Sequence, residues 1–355
     1  MSQMIASLSL DLDNKWSYLK THGDRGWEEF PSYLDAVVPR FLELLGKLGL
    51  RITVFVVGQD AALAKNRAAL SSIATAGHEI ANHSFHHEPW LHLYSPDDIE
   101  NEISSAEEAI GDATGVVPSG FRGPGYSLSP AVVQCLIRRG YRYDASTLPT
   151  VIGPLARAYY FLHARLNTSQ KHQRQRLFGN WRDGLRPLQP FWWETENSRG
   201  PLAGQRLLEI PVTTLPLFRV PIHFSYLLFL RQKSTAAAWA YWRLAMGICQ
   251  AFRVEPSLLL HPLDVIGGDE EADLGFFPGM KLPTAVKTAF VSQLLADFAQ
   301  RFRVVTVGEH AERLSVRSKL RVCQLNSAVR RVPVEEVKRL SIVPDAAFSV
   351  EARSQ

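Results

Sequence analysis

The chain has little cysteine. Cys135, Cys249 and Cys323 are its three, scattered over 355 residues. Their odd number and wide spacing exclude a disulfide framework and point to a reducing compartment. Long apolar runs are missing too. HFSYLLFL, one of the longest, falls well short of the roughly 20 residues that span a bilayer. The opening MSQMIASLSLDLD reaches acidic residues with no basic stretch or long apolar core before them, so no signal peptide is expected. Zinc-finger spacing and a basic–aromatic recognition module are absent, and the net charge is only +4. A nucleic-acid partner is therefore not expected. There is no internal repeat and no low-complexity tract. These absences lead to the expectation of a soluble, cytoplasmic protein, at most peripheral at the inner face of a membrane; oligomeric state stays open.

What is present is enough apolar residue, 46%, for one sizeable core. The first 150 residues alternate. Ile5–Leu12 reads as a buried strand, Tyr33–Leu48 as a helix, and Ile52–Val57 as a β-branched strand ending at Gly58. A helix is expected over Ala61–Ala76 with Gly77 as its stop, then a strand over His78–His83. Ser95 before Pro96, Asp97 and Asp98 starts a helix that runs to about Asp112. Ser119–Arg122, Pro130–Arg139 and Tyr141–Tyr143 follow as strand, helix and strand. This rhythm predicts an α/β fold with a parallel sheet or barrel.

The rhythm breaks near Pro149. An aromatic and basic insertion fills about 150–206, and between Val151 and Ile210 there are nine Lys/Arg against four Asp/Glu. Order returns with Leu207–Thr213, a helix around Thr235–Ala251, the strand Ser257–Leu260, a helix over Thr284–Ala299 and the strand Phe302–Val305. The division expected is a barrel over 1–314 carrying that insertion and a basic C-terminal extension over 315–355.

Polar residues gather at one end of these strands. Asp11 and Asp13 close the first, His83 the third, Arg122 and Asp144 the next two, and His261 a late one. In a parallel barrel those ends share one mouth, where active sites are built. GHEIANHSFHHEPW places His83, His86 and His87 within five positions. His83 and His87 are four apart, so a helical turn would align their rings. Asp11 and Asp13 are two apart, so a strand would point both carboxylates one way. One carboxylate and two neutral imidazoles suit Zn2+ or another divalent ion, and the second carboxylate can serve as base. Each residue has a plainer alternative: His87 capping or packing, His86 structural or at the rim, Asp11 forming a turn, Arg122 in a structural ion pair, Asp144 capping a loop, His261 in the core. Together those alternatives require independent accidents at one mouth.

At these residues the chain resembles the polysaccharide deacetylase superfamily, the NodB-homology enzymes. The His-Ser-x-x-His motif stands as His83-Ser84-Phe85-His86-His87, the Arg-x-Pro motif as Arg122-Gly123-Pro124, and the late Leu-x-x-His motif in LLLHP, ending at His261. The opening motif departs, reading Ser9-Leu10-Asp11-Leu12-Asp13 where many members have adjacent acids. That Asp-x-Asp form is similar to the branch with lipid-linked aminosugar deformylases and exopolysaccharide-locus deacetylases. YRYDAS around Asp144 and EIPVTTLP from Glu209 resemble later segments of it. The likeness covers 5–150 well and 207–312 loosely.

The resemblance implies a distorted (β/α) barrel of about seven parallel strands and metal-dependent hydrolysis of an N-acetyl or N-formyl amide on an amino sugar. It implies Asp13, His83 and His87 as metal ligands, with Zn2+ first and Co2+, Fe2+, Mn2+ or Ni2+ also compatible. Asp11 would be the base, held by Arg122, and His261 the acid. Asp144 would hold the His261 ring or line the sugar site. Pro124 and Tyr126 would border the substrate, a backbone N–H near Tyr126 helping to hold the oxyanion. The substrate expected is an intracellular glycan precursor on a lipid or nucleotide carrier. Residues 151–230, with Tyr159, Tyr160, Phe161, Trp181, Trp192 and Trp193, would touch a membrane surface, or would be an insertion with its own core contacts. Two rivals remain: a hydrolase of small cyclic imides or ureides, and an inactive carbohydrate-binding protein.

Overall fold

The computed structural model describes residues 3–150, 186–195, 204–317 and 319–325. Most of the aromatic insertion, with Tyr159, Tyr160, Phe161 and Trp181, and the C-terminal extension beyond 325 lie outside the described residues.

The fold is α/β, built on a largely parallel sheet. Strand β1 (Ile5–Asp11) is next to last in the sheet order, with β2 (Thr53–Val56) on one edge. Its other edge is shared by β8 (Ser257–Leu260) and β9 (Arg303–Val305). From β2 the sheet continues through β3 (Glu79–Asn82), β4 (Gly120–Phe121), β5 (Tyr143–Asp144) and β7 (Arg206–Glu209), all parallel. Seven strands, β7-β5-β4-β3-β2-β1-β8, form one continuous parallel run within a ten-stranded sheet, in which β9 is a further parallel partner of β1, where about seven were expected. Among the described residues no continuous ladder joins β7 to β8. The chain leaving β7 narrows that opening instead: the Thr213 N–H donates to Ser257 O at 2.9 Å, and the Ser257 N–H donates to Thr213 Oγ1 at 2.8 Å.

Two strands come from regions that read as irregular. β6 (Phe191–Thr195), inside the insertion, runs antiparallel to β7. β10 (Arg321–Leu325), past Leu314, extends the sheet beyond β6. Phe191, Trp193 and Leu325 are buried on that side, which supplies the apolar anchor for both. β7 is shorter than the expected Leu207–Thr213, because Pro211 has no N–H for a ladder.

Helices cover the sheet where their ends are chemically marked. Helix α5 (Pro96–Thr114) begins with the Ser95 hydroxyl accepting the Asp98 N–H and ends at Gly115 in the left-handed region. Its apolar stripe, Ile99, Ile103, Ala106 and Ile110, is buried. Helix α6 (Pro130–Arg138) is capped the same way by Ser129. The expected helix over Ala61–Ala76 is broken: α3 (Gly58–Ala62) stops at extended Leu63, and α4 (Arg67–Thr75) restarts the turn. Asn66 causes the break, its amide donating back to Asp60 O and Oδ1 at 3.1 Å each.

After β7 the chain forms α7 (Phe224–Lys233) and α8 (Thr235–Ala251), then enters β8. α9 (Thr284–Arg301) and α10 (Val307–Ser315) complete the cover. Trp242, fully buried in α8, packs on Phe224 and Phe298 at centroid separations of 5.9 and 6.0 Å.

Candidate active site

The polar residues predicted for the strand ends do lie at the carboxyl ends of parallel strands. Asp11 is the last residue of β1 and Asp144 of β5; His83, Arg122 and His261 directly follow β3, β4 and β8. Asp13 is two residues past β1, its carbonyl accepting from Tyr33 Oη at 2.5 Å.

Asp13, His83 and His87 come together. Each offers one ligand atom, all within 4.8 Å of one another. Asp13 Oδ1 is 2.9 Å from His87 Nε2 and 3.4 Å from His83 Nε2. His83 Nδ1–H donates to Arg122 O at 2.6 Å. That bond fixes the tautomer and leaves the Nε2 lone pair facing Asp13, as a metal-binding histidine requires. The donor set, one carboxylate oxygen and two imidazole nitrogens, fits a divalent ion of the zinc type with positions left for other ligands.

The electrostatics agree. Burial would raise the Asp13 pKa, but His87 and His83 outweigh it and hold the carboxyl well below its usual range. Burial would lower that of His83, yet Asp13, Asp11 and the Arg122 carbonyl lift it above the ordinary value.

The expected helical turn between the two histidines is not there. Ser84 and His87 have φ of 60° and 54°, in the left-handed region that disfavours side chains. The loop is over-determined. Asn82 Oδ1 accepts the Ser84 N–H, and the N–H groups of Gly58 and Gln59 donate to Ser84 O and Phe85 O. Glu102, buried on α5, accepts the N–H groups of Phe85 and His86 at 3.0 Å each and pairs with His86 Nδ1 at 2.5 Å. From α1 (Lys15–His22), Lys20 Nζ donates to His86 O and pairs with Glu88, which is fully buried. His86 is thus a structural strut. The sequence reading missed Glu102 and Lys20. An acid next to Ile103 on a buried helical stripe was the available signal for Glu102.

Asp11 meets Arg122, whose Nη1 is 2.5 Å from Asp11 Oδ1. Arg122 is fully buried. Nη1 also donates to Ser9 Oγ, Nε donates to Ala145 O, and the guanidinium lies 4.2 Å from the Phe55 ring centroid. Gly123 permits this turn, because a Cβ there would sit 2.0 Å from Ser127 O.

His261 faces the other oxygen of Asp13, with Nε2 3.9 Å from Oδ2. Its backbone N–H donates to Asp264 Oδ2, and its ring stacks on His223, which the sequence reading did not single out.

Two assignments need correction. Asp144 neither holds the His261 ring nor reaches the mouth. It is fully buried, and its Oδ1 accepts from Ser146 Oγ at 2.5 Å. Buried Glu209 stands opposite it on β7, and burial with the Asp144 charge pushes the Glu209 pKa well above normal. Ser146 Oγ accepts the Gly123 N–H in turn, so Asp144 props the Arg122 loop from below. The Tyr126 N–H is spent on Gly123 O at 2.9 Å, inside the tight Pro124–Tyr126 turn, and is not free for an oxyanion. Pro124 is buried in that turn.

Residues 24–143 match the family model described as polysaccharide deacetylase. A Helicobacter pylori protein named peptidoglycan deacetylase is 26% identical over 153 residues, 41% of this chain and 50% of that one. The chain thus matches that curated relative over about half its length. A solved Mycobacterium smegmatis structure assigned to the polysaccharide deacetylases covers 93% of this chain and 100% of its own, with a TM-score of 0.55 at 17% identity. At that identity the likeness speaks to the fold.

Proposed function

We propose that the protein is a metal-dependent deacylase that hydrolyses an N-acyl amide on an amino sugar. One observation carries the reading: the two oxygens of Asp13 face different imidazoles, the His83–His87 pair on one side and His261 on the other. A metal group and a proton donor therefore flank one small space. The family match at residues 24–143 and the named peptidoglycan deacetylase support sugar amide chemistry.

Asp13, His83 and His87 would hold the divalent ion, which supplies Lewis-acid activation of water and of the acyl oxygen. Zn2+ suits this donor set first. Asp11 accepts the proton of the attacking water. Arg122 keeps Asp11 in place and, through its own carbonyl, keeps His83 oriented. His261 Nε2 gives a proton to the departing nitrogen as the C–N bond breaks. Water supplies the oxygen of the released acid, and the sugar leaves as an amine.

The finer reading is a glycan precursor, acetylated or formylated, on a lipid or nucleotide carrier in the cytoplasm. All three cysteines are free, which supports a reducing compartment. A peripheral membrane contact is supported by the segment that includes His223. From Ile210 to Val254 the chain has no Asp or Glu and five Lys/Arg. Leu217 and Phe218 there are 70% and 63% exposed. Among the described residues no helix is long and apolar enough to cross a membrane.

The deciding experiment is mass spectrometry of lipid-linked and nucleotide-linked amino sugars, and of N-acetylglucosamine oligomers, incubated with metal-loaded protein. Loss of an acetyl or formyl mass is expected. Sugar binding without turnover by fully metal-loaded protein would favour the inactive binding protein instead. Turnover confined to cyclic imides would move the substrate class.

A further inference from the structure

His223 introduces a second imidazole beside His261. It follows the Thr214–Pro221 bridge and precedes α7, in a segment that otherwise closes the gap between β7 and β8. The two rings stack with centroids 4.8 Å apart and planes inclined by 28°. The Ser225 N–H donates to His223 Nδ1 at 3.2 Å. Nδ1 is therefore an acceptor, and a neutral ring carries its hydrogen on Nε2. Burial, with the charges of His261 and Arg122, keeps the ring neutral; Asp13 opposes this and is outweighed.

The Nε2–H has no acceptor among the described residues, although His223 is only 8% exposed. It is not one of the enclosed, partnerless atoms of the site, so it is open to an acceptor from outside the chain, either water or a ligand oxygen that replaces it. The nitrogen carries hydrogen, and His223 stands apart from the Asp13–His83–His87 group, so a metal is not that partner. An uncharged oxygen next to the group that His261 addresses meets the requirement.

We propose that His223 is a substrate-positioning residue. Its Nε2–H donates to a hydroxyl or ring oxygen on the sugar, next to the carbon bearing the N-acyl group, and so holds the departing nitrogen beneath His261. The proposal rests on the deacylase reading for the sugar and for the role of His261. The stacked arrangement lets two rings address adjacent substituents of one sugar.

Two variants and two readouts test it. His223→Phe keeps a flat ring against His261 and removes the donor; His223→Gln restores a donor near Nε2. With an N-acetylglucosamine oligomer, His223→Phe should raise KM about tenfold, the effect of one lost hydrogen bond, with a smaller change in kcat. His223→Gln should return KM to within about threefold of the parent. Metal content and the pH–rate profile should not move. An unchanged KM in His223→Phe overturns the proposal. So does a kcat loss with a shifted basic limb at constant KM, which would make His223 a tuner of His261. Calorimetric Kd values for the same oligomer, with Asp11→Asn as the background, read the donor without turnover. There His223→Phe should weaken binding by the same factor, and equal Kd values, or no binding in the background, refute it. If the parent binds but never hydrolyses, the deacylase reading fails while the binding comparison still decides the role of His223. Should His223→Phe fail to fold, His223→Leu against His223→Gln makes the same comparison.

Discussion

Arg122 Nη1 and Asp11 Oδ1 stand 2.5 Å apart with both side chains buried. Each is the main charge partner of the other in a place water does not solvate well, so removing one strands the other. Arg122→Ala should cost about 3–5 kcal/mol of stability, as breakage of a buried pair does. Asp11→Asn keeps the shape and an acceptor oxygen but removes the base. It should cut kcat/KM about 10²–10⁴-fold with metal content intact. Urea titration and metal analysis of both variants check this. An Asp11→Asn protein with parental turnover would remove Asp11 from the chemistry.

The metal group makes a separate prediction about protons. Without an ion, Asp13 holds His83 above its ordinary pKa. A metal needs the neutral ring, so below that pKa binding must displace a proton. Affinity should therefore fall as pH falls, and binding at mildly acidic pH should release protons to the buffer. Calorimetry in two buffers of different ionisation enthalpy measures the release. His83→Ala should bind Zn2+ far more weakly and lose turnover with it. No buffer dependence at all would show that His83 does not give up a proton to the ion.

The parts of this site that were legible share one cause. Asp11, Asp13, His83, Arg122 and His261 each end or follow a strand, and a βα rhythm fixes which end of a strand becomes the mouth. What was not legible depends on contacts between distant segments. His87 reaches Asp13 through a left-handed backbone that Glu102 and Lys20 hold in place, not through a helical turn. Asp144 looked catalytic by position, and only Glu209 across the β5–β7 pairing turns it into a support. His223 carries no local signal, because its neighbour His261 arrives from another strand. β10 was hidden because it is a strand only along the edge of β6, which is itself placed by pairing with β7.

Asp60 gives a pH-dependent prediction outside the chemistry. Its Oδ1 accepts from Asn14 at 2.7 Å, Trp16 at 2.9 Å and Asn66 at 3.1 Å, while Oδ2 has no partner. Burial pushes its pKa from 3.8 up to about 7, with the Asp13 charge adding to the rise. The folded protein thus keeps a proton that the unfolded chain releases near 3.8. Stability contributed here falls as pH rises from 3.8 to about 7, by roughly 2–4 kcal/mol in all. Asp60→Asn keeps the acceptor oxygen and cannot ionise. It should match the parent near pH 4 and exceed it in stability above neutrality. Urea midpoints across that range, with chelator present, test this; parallel curves would refute it.

Glu255 should behave with the opposite sign. It accepts two hydrogen bonds from Arg317 at 2.8 Å each and lies 3.4 Å from Nε2 of fully buried His310. Burial would raise its pKa, but His310 and Arg317 dominate and bring it from 4.5 down to about 2. A depressed carboxyl stabilises the fold above its unfolded pKa, and that contribution is lost as pH falls from about 4.5 to about 2. Its full size is roughly 1–3 kcal/mol, taking the partly exposed Arg317 as weakened by solvent. Glu255→Gln should therefore be less stable than the parent near neutrality, and the gap should close on acidification. His310 also bonds Ser7 of β1 through Nδ1 at 3.0 Å, at the end of that strand away from the mouth. Turnover near neutrality should stay close to the parent value while the urea midpoint drops. A deficit of constant size down to pH 3 would mean that Glu255 acts through packing and not through its charge.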